Sequence, residues 1–213
     1  LTAPGTTQHA EVNRDYGDVY VKDMGTGLVT RANVDDAGIP SEMQADAPQI
    51  SPDGRRVTFR CTGNSCALAP GDDVPGARVY QRDLVAGTTT AMTATLADGT
   101  PALGFIGQYD TTPDGRYVTY TLTSTDGFGP PPRTPGAGNP IHVWVRDMQT
   151  GVTKEVDVDG DDLPGDDWAV TPSISNGGRR VAFLSGAANL LPGYGPNGTF
   201  NSSYNSAYLA RVN

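Results

Sequence analysis

Few side chains in this sequence could do nucleophilic or metal chemistry: two histidines, His9 and His142, and two cysteines, Cys61 and Cys66, beside 24 carboxylates. A Ser-His-Asp hydrolase needs an exposed nucleophile next to a positioned histidine, and no G-x-S-x-G elbow occurs here. His9 carries no motif. His142 opens the apolar run Val143 to Val145, where a surface or sheet-edge position is expected. Zinc wants several Cys or His at close spacing, which this composition does not supply unless carboxylates substitute. No catalytic residue is therefore assigned, and paired carboxylates for glycoside hydrolysis cannot be placed across a bond from sequence.

Carboxylates are densest in DVDGDD (Asp157 to Asp162), followed by LPGDD (Leu163 to Asp167). Hard cations take clustered oxygen ligands. Asp157, Asp159, Asp161 and Asp162 are thus candidate Ca²⁺ ligands, the one cofactor the sequence suggests. The run departs from the EF-hand order by its early glycine and missing terminal glutamate, and the competing reading is a solvated acidic loop. Cys61 and Cys66 enclose Thr-Gly-Asn-Ser, a turn that a disulfide can close in an oxidising compartment. Free thiols or a metal site are the alternatives, the latter poorly served because neither histidine is near in sequence.

Aromatic side chains in loops are candidates for stacking on a sugar or a protein partner: Phe128, Trp168, Tyr194, Phe200 and Tyr204. Phe128 and Arg133 lie in the proline-rich insertion Asp126 to Pro140, which cannot form a regular strand and should project as a loop. Packing between sheets is the competing role for each aromatic.

The elements that position these residues come from a repeat. SPDGRRVTF (Ser51 to Phe59), TPDGRYVTY (Thr112 to Tyr120) and SNGGRRVAF (Ser175 to Phe183) align without gaps, their shared glycines Gly54, Gly115 and Gly178 standing 61 and 63 residues apart. A second signal recurs in DVYVKDM, ARVYQRDL, HVWVRDM and the weaker AYLARV, with markers Tyr20, Tyr80, Trp144 and Tyr208 spaced by 60, 64 and 64 residues. A Gly-containing turn and a Thr-rich stretch follow three of them.

Each piece reads as β structure. Pro and Asp suit the two corners of a tight turn and Gly the positive φ that ends it, so xPDG joins antiparallel strands. In the next strand Val57 and Phe59, Val118 and Tyr120, and Val181 and Phe183 share one face by alternation. Thr58, Thr119 and Ala182 put small groups on the other face, where a neighbouring sheet could approach. Asp23, Asp83 and Asp147 are placed to accept backbone N–H groups in the following turn. Each unit thus predicts four strands, with apolar faces that only stacking can bury.

The order PxIS, PDGRxVxF, VYVRDL, TGxT resembles the TolB-like, Pro-Asp-Gly type of bacterial β-propeller repeat over nearly the whole chain. The third copy departs in having Asn176-Gly177 for Pro-Asp, which keeps the glycine. The resemblance implies an all-β propeller of four-stranded antiparallel blades and says little about function, since it spans periplasmic scaffolds, lectin-like modules and non-catalytic domains of peptidases. The units fall at about 1–45, 46–104, 105–167 and 168–213 of one propeller domain. They contain two, four, four and three strands, short of the smallest usual ring of roughly four four-stranded blades. A longer protein or another chain is expected to supply the rest, with a small ring sharing a closing blade as the other option.

Charge and composition narrow the partners. With 15 basic against 24 acidic residues, the net charge of −9 repels nucleic-acid phosphates and anionic lipid surfaces. The 27 glycines and 17 prolines suit a chain of many short strands rather than a helical bundle. Lys22 and Lys154 are the only lysines, consistent with a GC-rich bacterial coding sequence. No apolar run approaches the ~20 residues of a membrane helix, so no membrane insertion is expected. Starting at Leu1 rather than Met points to a removed leader or an excised piece. The sequence thus suggests a secreted or extracytoplasmic module that binds a protein or glycan. The alternative is an accessory propeller of a secreted hydrolase or peptidase, and a sugar-processing enzyme is a weaker third.

Overall fold

The computed structural model describes residues 17–63, 66–70, 77–93, 104–124, 141–191 and 206–212. The chain divides into two compact units, Leu1–Ala91 and Met92–Asn213. Every element assigned among the described residues is a strand, and no helix there is long and apolar enough to cross a membrane.

In the first unit β1 (Tyr20–Lys22) pairs antiparallel with β2 (Val29–Arg31). A four-stranded antiparallel sheet follows in sequence order: β3 (Gln44–Ile50), β4 (Arg56–Thr62), β5 (Arg78–Asp83) and β6 (Thr88–Ala91). The second unit repeats this sheet as β7 (Gly104–Thr111), β8 (Tyr117–Ser124), β9 (His142–Asp147) and β10 (Thr153–Glu155). Then come three strands of another, β11 (Ala169–Ile174), β12 (Arg180–Ser185) and β13 (Ser206–Arg211). Sequential antiparallel neighbours are what tight xPDG turns dictate. In each copy the glycine has left-handed φ (Gly54 +71°, Gly115 +70°, Gly178 +69°) and donates its N–H to the carbonyl three residues back. The Asn-Gly-Gly copy therefore keeps the turn.

The turns after the third strand also follow the sequence reading. Oδ1 of Asp23 accepts the N–H groups of Gly25 and Thr26, that of Asp83 those of Val85 and Ala86, and that of Asp147 that of Gln149. Arg55 and Arg116, one residue beyond each turn glycine, add ion pairs to Asp83 and Asp147, both at 2.8 Å.

The first strand of each sheet is longer than PQIS or PSIS suggested, because a bulge continues it. The register shifts between Asp46 and Gln49, Ile106 and Tyr109, and Val170 and Ser173. Ala47 and Thr171, at the bulges, have φ of 49° and 51°. For a β-branched residue that conformation costs on the order of 1–3 kcal/mol and needs surrounding support. Thr171 has it: its N–H donates to Gln108 Oε1 at 2.8 Å.

Within each unit the sheets bury their faces against one another. Val19 and Ala32, flanking the strands of the small sheet, join Ala45, Val57, Phe59, Cys61 and Tyr80 in one core. In the second unit Val143, Val145 and Val156 meet Ala169, Ile174, Val181 and Phe183. Cross-strand aromatics recur at one level: Phe59 on Tyr80 with centroids 5.9 Å apart, and Phe183 on Tyr208 at 5.6 Å. Such pairs each add about 0.5–1.5 kcal/mol beyond their burial. Thr58 and Thr119 are buried on the second face, whereas Ala182 is exposed there.

Backbone hydrogen bonds stitch sheet to sheet. Ala45 N–H donates to the Gly17 carbonyl at 2.9 Å, and its counterpart Ala169 to that of Ile141 at 2.7 Å. From β11, Ile174 N–H and Ser173 Oγ both reach Asp110 Oδ2 on β7, at 2.9 and 3.1 Å.

Candidate functional site

Two arrangements in the second unit carry chemistry. The first is a cavity of about 370 Å³ at the turn end of the β7–β10 and β11–β13 sheets. Its apolar wall is Val145, Val152 and Val212, its floor the ring of Tyr117, and Lys154 and Arg179 stand at it as exposed cations. Asp147 lines it too, held by Arg116, which keeps its carboxyl down at about 2. The Arg116 guanidinium also lies 4.8 Å over the Tyr117 ring.

Repeat logic explains the cationic side. Arg55 and Arg116 pair with an Asp at the end of the third strand, and Arg179 is their counterpart in the last copy. The position matching Asp83 and Asp147 there is Arg211. Among the described residues no carboxylate pairs with Arg179, which lines the cavity. Gly178 makes the floor: a Cβ there would sit 2.2 Å from the Tyr117 ring, so only glycine lets the ring lie against this turn.

The second arrangement is buried. His142 Nδ1 lies 2.8 Å from Asp157 Oδ2 and 2.9 Å from Glu155 Oε1, all three side chains being at most 4% exposed. Asp157 Oδ1 accepts the Val143 N–H at 2.8 Å. Burial works against the imidazolium, but the two carboxylates outweigh it and hold His142 above the usual histidine value. Burial, helped by the neighbouring Glu155 charge, raises Asp157 despite its bond to His142. The expectation that His142 sits at a surface or sheet edge is overturned: it is 1% exposed, since the strand that it opens lies in the middle of its sheet beneath the next one.

The remaining sequence candidates fall as follows. Asp157 turns inward to His142, away from its acidic neighbours. Asp159 Oδ1 accepts the N–H groups of Asp161 and Leu163, and Asp161 and Asp162 are exposed. The first unit builds the same turn, Asp35 Oδ1 accepting from Ala37 and Ile39. Among the described residues the group whose ligand atoms converge within 4.8 Å is His142, Glu155 and Asp157, not the four aspartates together. Cys61 and Cys66 are joined in a disulfide with Cα atoms 6.2 Å apart. Trp168 is half-buried at the start of β11, its carbonyl accepting from Gly186 N–H and Ser185 Oγ, and it does not line the cavity. Phe128, Arg133, Tyr194, Phe200, Tyr204 and His9 lie outside the described residues.

No protein-family model matches the chain, and no curated protein does. Solved structures do. A prolyl endopeptidase studied for inter-domain dynamics matches over 93% of this chain and 25% of its own, at 16% identity and a TM-score of 0.52. TolB from Acinetobacter baumannii matches over 78% of this chain and 31% of its own, at 20% identity and TM-score 0.42. The β-propeller domain of the Trilobed protease from Pyrococcus furiosus matches over 68% and 34%, at 11% and 0.41. The chain spans about a third or less of each of these structures. At such identities the likeness concerns the fold, and with the sheets above it makes the chain an all-β propeller of antiparallel blades, two of which have four strands among the described residues.

Proposed function

We propose that the chain is a non-catalytic, extracytoplasmic propeller module that recognises a protein or glycan partner through the inter-blade cavity of its second unit. The observation that carries this is the pairing of an aromatic floor, Tyr117, with two exposed cations, Lys154 and Arg179, in a chain whose net charge is −9. An apolar wall with a few convergent charges is how binding sites fix orientation, and a ring beside cations suits a carboxylate-bearing sugar or an acidic peptide. The Cys61–Cys66 disulfide supports a location outside the reducing cytoplasm.

The test is an array of glycans and peptides probed with the wild type and with Lys154→Glu/Arg179→Glu. Acidic ligands should be retained by the wild type and lose at least about tenfold in the variant, as removal of two charge-assisted contacts implies, with unchanged thermal unfolding. Equal binding by both proteins would remove the cavity from the account.

A second reading, an accessory gating or recognition domain of a larger secreted hydrolase or peptidase, follows from the lengths: this chain spans only 25% to 34% of the structures above. In either case further sequence or a second chain would complete the blades.

A further inference from the structure

The first hairpin turn of the last sheet lacks the carboxylate that fastens the same turn in the other two copies. There the residue before the turn glycine is an aspartate that closes the loop on itself. Asp53 Oδ1 accepts the Ser51 hydroxyl and the Arg55 N–H, and Asp114 Oδ1 accepts the Thr112 hydroxyl and the Arg116 N–H, each N–H at 3.0 Å. A proline with fixed φ, Pro52 or Pro113, stiffens the first corner of each. The last copy has Asn176 and Gly177 at these two positions. Gly178 N–H still donates to the Ser175 carbonyl at 2.8 Å and Arg180 N–H to Ser175 Oγ at 3.1 Å, but among the described residues no side chain takes over the work of the aspartate.

That leaves an asparagine amide beside an accessible backbone nitrogen. Asn176 and Gly177 are both exposed, and a Cβ at Gly177 would meet nothing within 4 Å. Among the described residues, neither the Asn176 side chain nor the Gly177 N–H enters a hydrogen bond. Glycine adds the conformational freedom that a ring closure between the two requires.

We propose that Asn176 is a site of spontaneous covalent modification, at which the Gly177 nitrogen converts a neutral amide into a carboxylate on the turn that carries Arg179. The Gly177 nitrogen forms a bond to Asn176 Cγ and closes a succinimide ring. The bond from Cγ to the side-chain nitrogen breaks, and that nitrogen leaves as ammonia with the proton given up by Gly177. Water then opens the ring at either carbonyl, giving aspartate or its β-linked isomer, with no oxidant or cofactor involved. The product restores a carboxylate to this turn, as Asp53 and Asp114 supply one to the turns of Arg55 and Arg116. Gly178 and Arg179 line the cavity, so conversion lowers the positive charge there. Affinity for an acidic ligand should fall by up to about fivefold, as one screened pair implies. That consequence rests on the cavity being the binding site, whereas the modification does not.

The test holds the full folded chain at mildly alkaline pH for days, then digests it and follows each asparagine by mass spectrometry. Asn189 is the internal reference: its amide donates to the Pro164 carbonyl at 2.9 Å, and leucine follows it. Asn176 should exchange amide for acid at least about tenfold faster than Asn189, because glycine has no side chain to hinder attack. Gly177→Asp, which returns the fastening carboxylate and keeps Asn176, should slow the exchange by a similar factor. Placement beside Arg179 is read by NMR titration: the new carboxyl of Asn176→Asp should titrate lower than that of Asn176→Asp/Arg179→Gln. No faster exchange at Asn176 than at Asn189 would overturn the modification site, and equal titration in the two variants would overturn its link to Arg179. Neither readout uses a ligand, so both decide the proposal whatever the cavity binds.

Discussion

Replacing Gly178 by alanine separates two costs that the fold combines at one position. The first is conformational: at φ +69° an L-residue loses roughly 1–2 kcal/mol. The second is steric and depends on the neighbouring blade, because a Cβ would stand 2.2, 2.5 and 2.7 Å from three atoms of the Tyr117 ring. Forced repacking of that kind costs about 1–3 kcal/mol, so Gly178→Ala should lose roughly 2–5 kcal/mol. Gly54→Ala has the same φ to within a few degrees and nothing within 4 Å, so it should lose only the conformational part. A double-mutant cycle isolates the contact: Gly178→Ala with Tyr117→Ala should lose about 1–3 kcal/mol less than the sum of the single losses. Urea unfolding followed by tryptophan fluorescence reads the second unit alone, because Trp144 and Trp168 both lie in it. Additivity within about 0.5 kcal/mol, or equal losses at Gly54 and Gly178, would refute face-to-face packing of these two blades.

Asp147→Asn should reduce stability near neutral pH by roughly 1 kcal/mol, since solvent screens a pair whose Arg116 side is 41% exposed. The sign with pH follows from a carboxyl lowered from 3.8 to about 2: its contribution is present above 3.8 and lost as pH falls toward about 2. Unfolding curves between pH 6 and 2 should therefore be steeper in pH for the wild type than for the variant. Reduction of Cys61–Cys66 should lower stability by about 2 kcal/mol for so short a loop, read by denaturation with and without reductant. Millimolar Ca²⁺ should give no calorimetric heat from Asp159, Asp161 and Asp162, because that turn recurs around Asp35 and its Oδ1 is engaged by backbone. A one-site isotherm would restore calcium to the acidic turn.

The blades were legible in the sequence because a turn needing positive φ restricts its residue so strongly. Gly54, Gly115 and Gly178 mark the hairpins, alternation after them marks the buried face, and Asp23, Asp83 and Asp147 mark the next turn. The bulges were not legible, since Ala47 and Thr171 are poor formers of left-handed backbone and are held there by long-range contacts such as Gln108 to Thr171. His142 was misplaced because a lone histidine at a strand start carries no period; comparison with Asp18, Arg31 and Asn33, bonded to one another at the matching positions two repeats earlier, is the signal that finds its partners. The cavity is written just as indirectly, in Arg211 replacing the aspartate that neutralises Arg55 and Arg116 in the other copies. Trp168 illustrates the limit of composition: a large aromatic in a polar stretch is equally a residue half-buried beside Gly186 just before a strand.

Stacked blades are most directly tested by amide exchange at Ile174, whose N–H donates to a carboxylate 64 residues away on the adjoining blade. The account predicts slow exchange in the wild type and at least tenfold faster exchange in Asp110→Ala, with the Val19 amide in the first unit unchanged. An Ile174 amide that exchanges at the same rate in both proteins would contradict it.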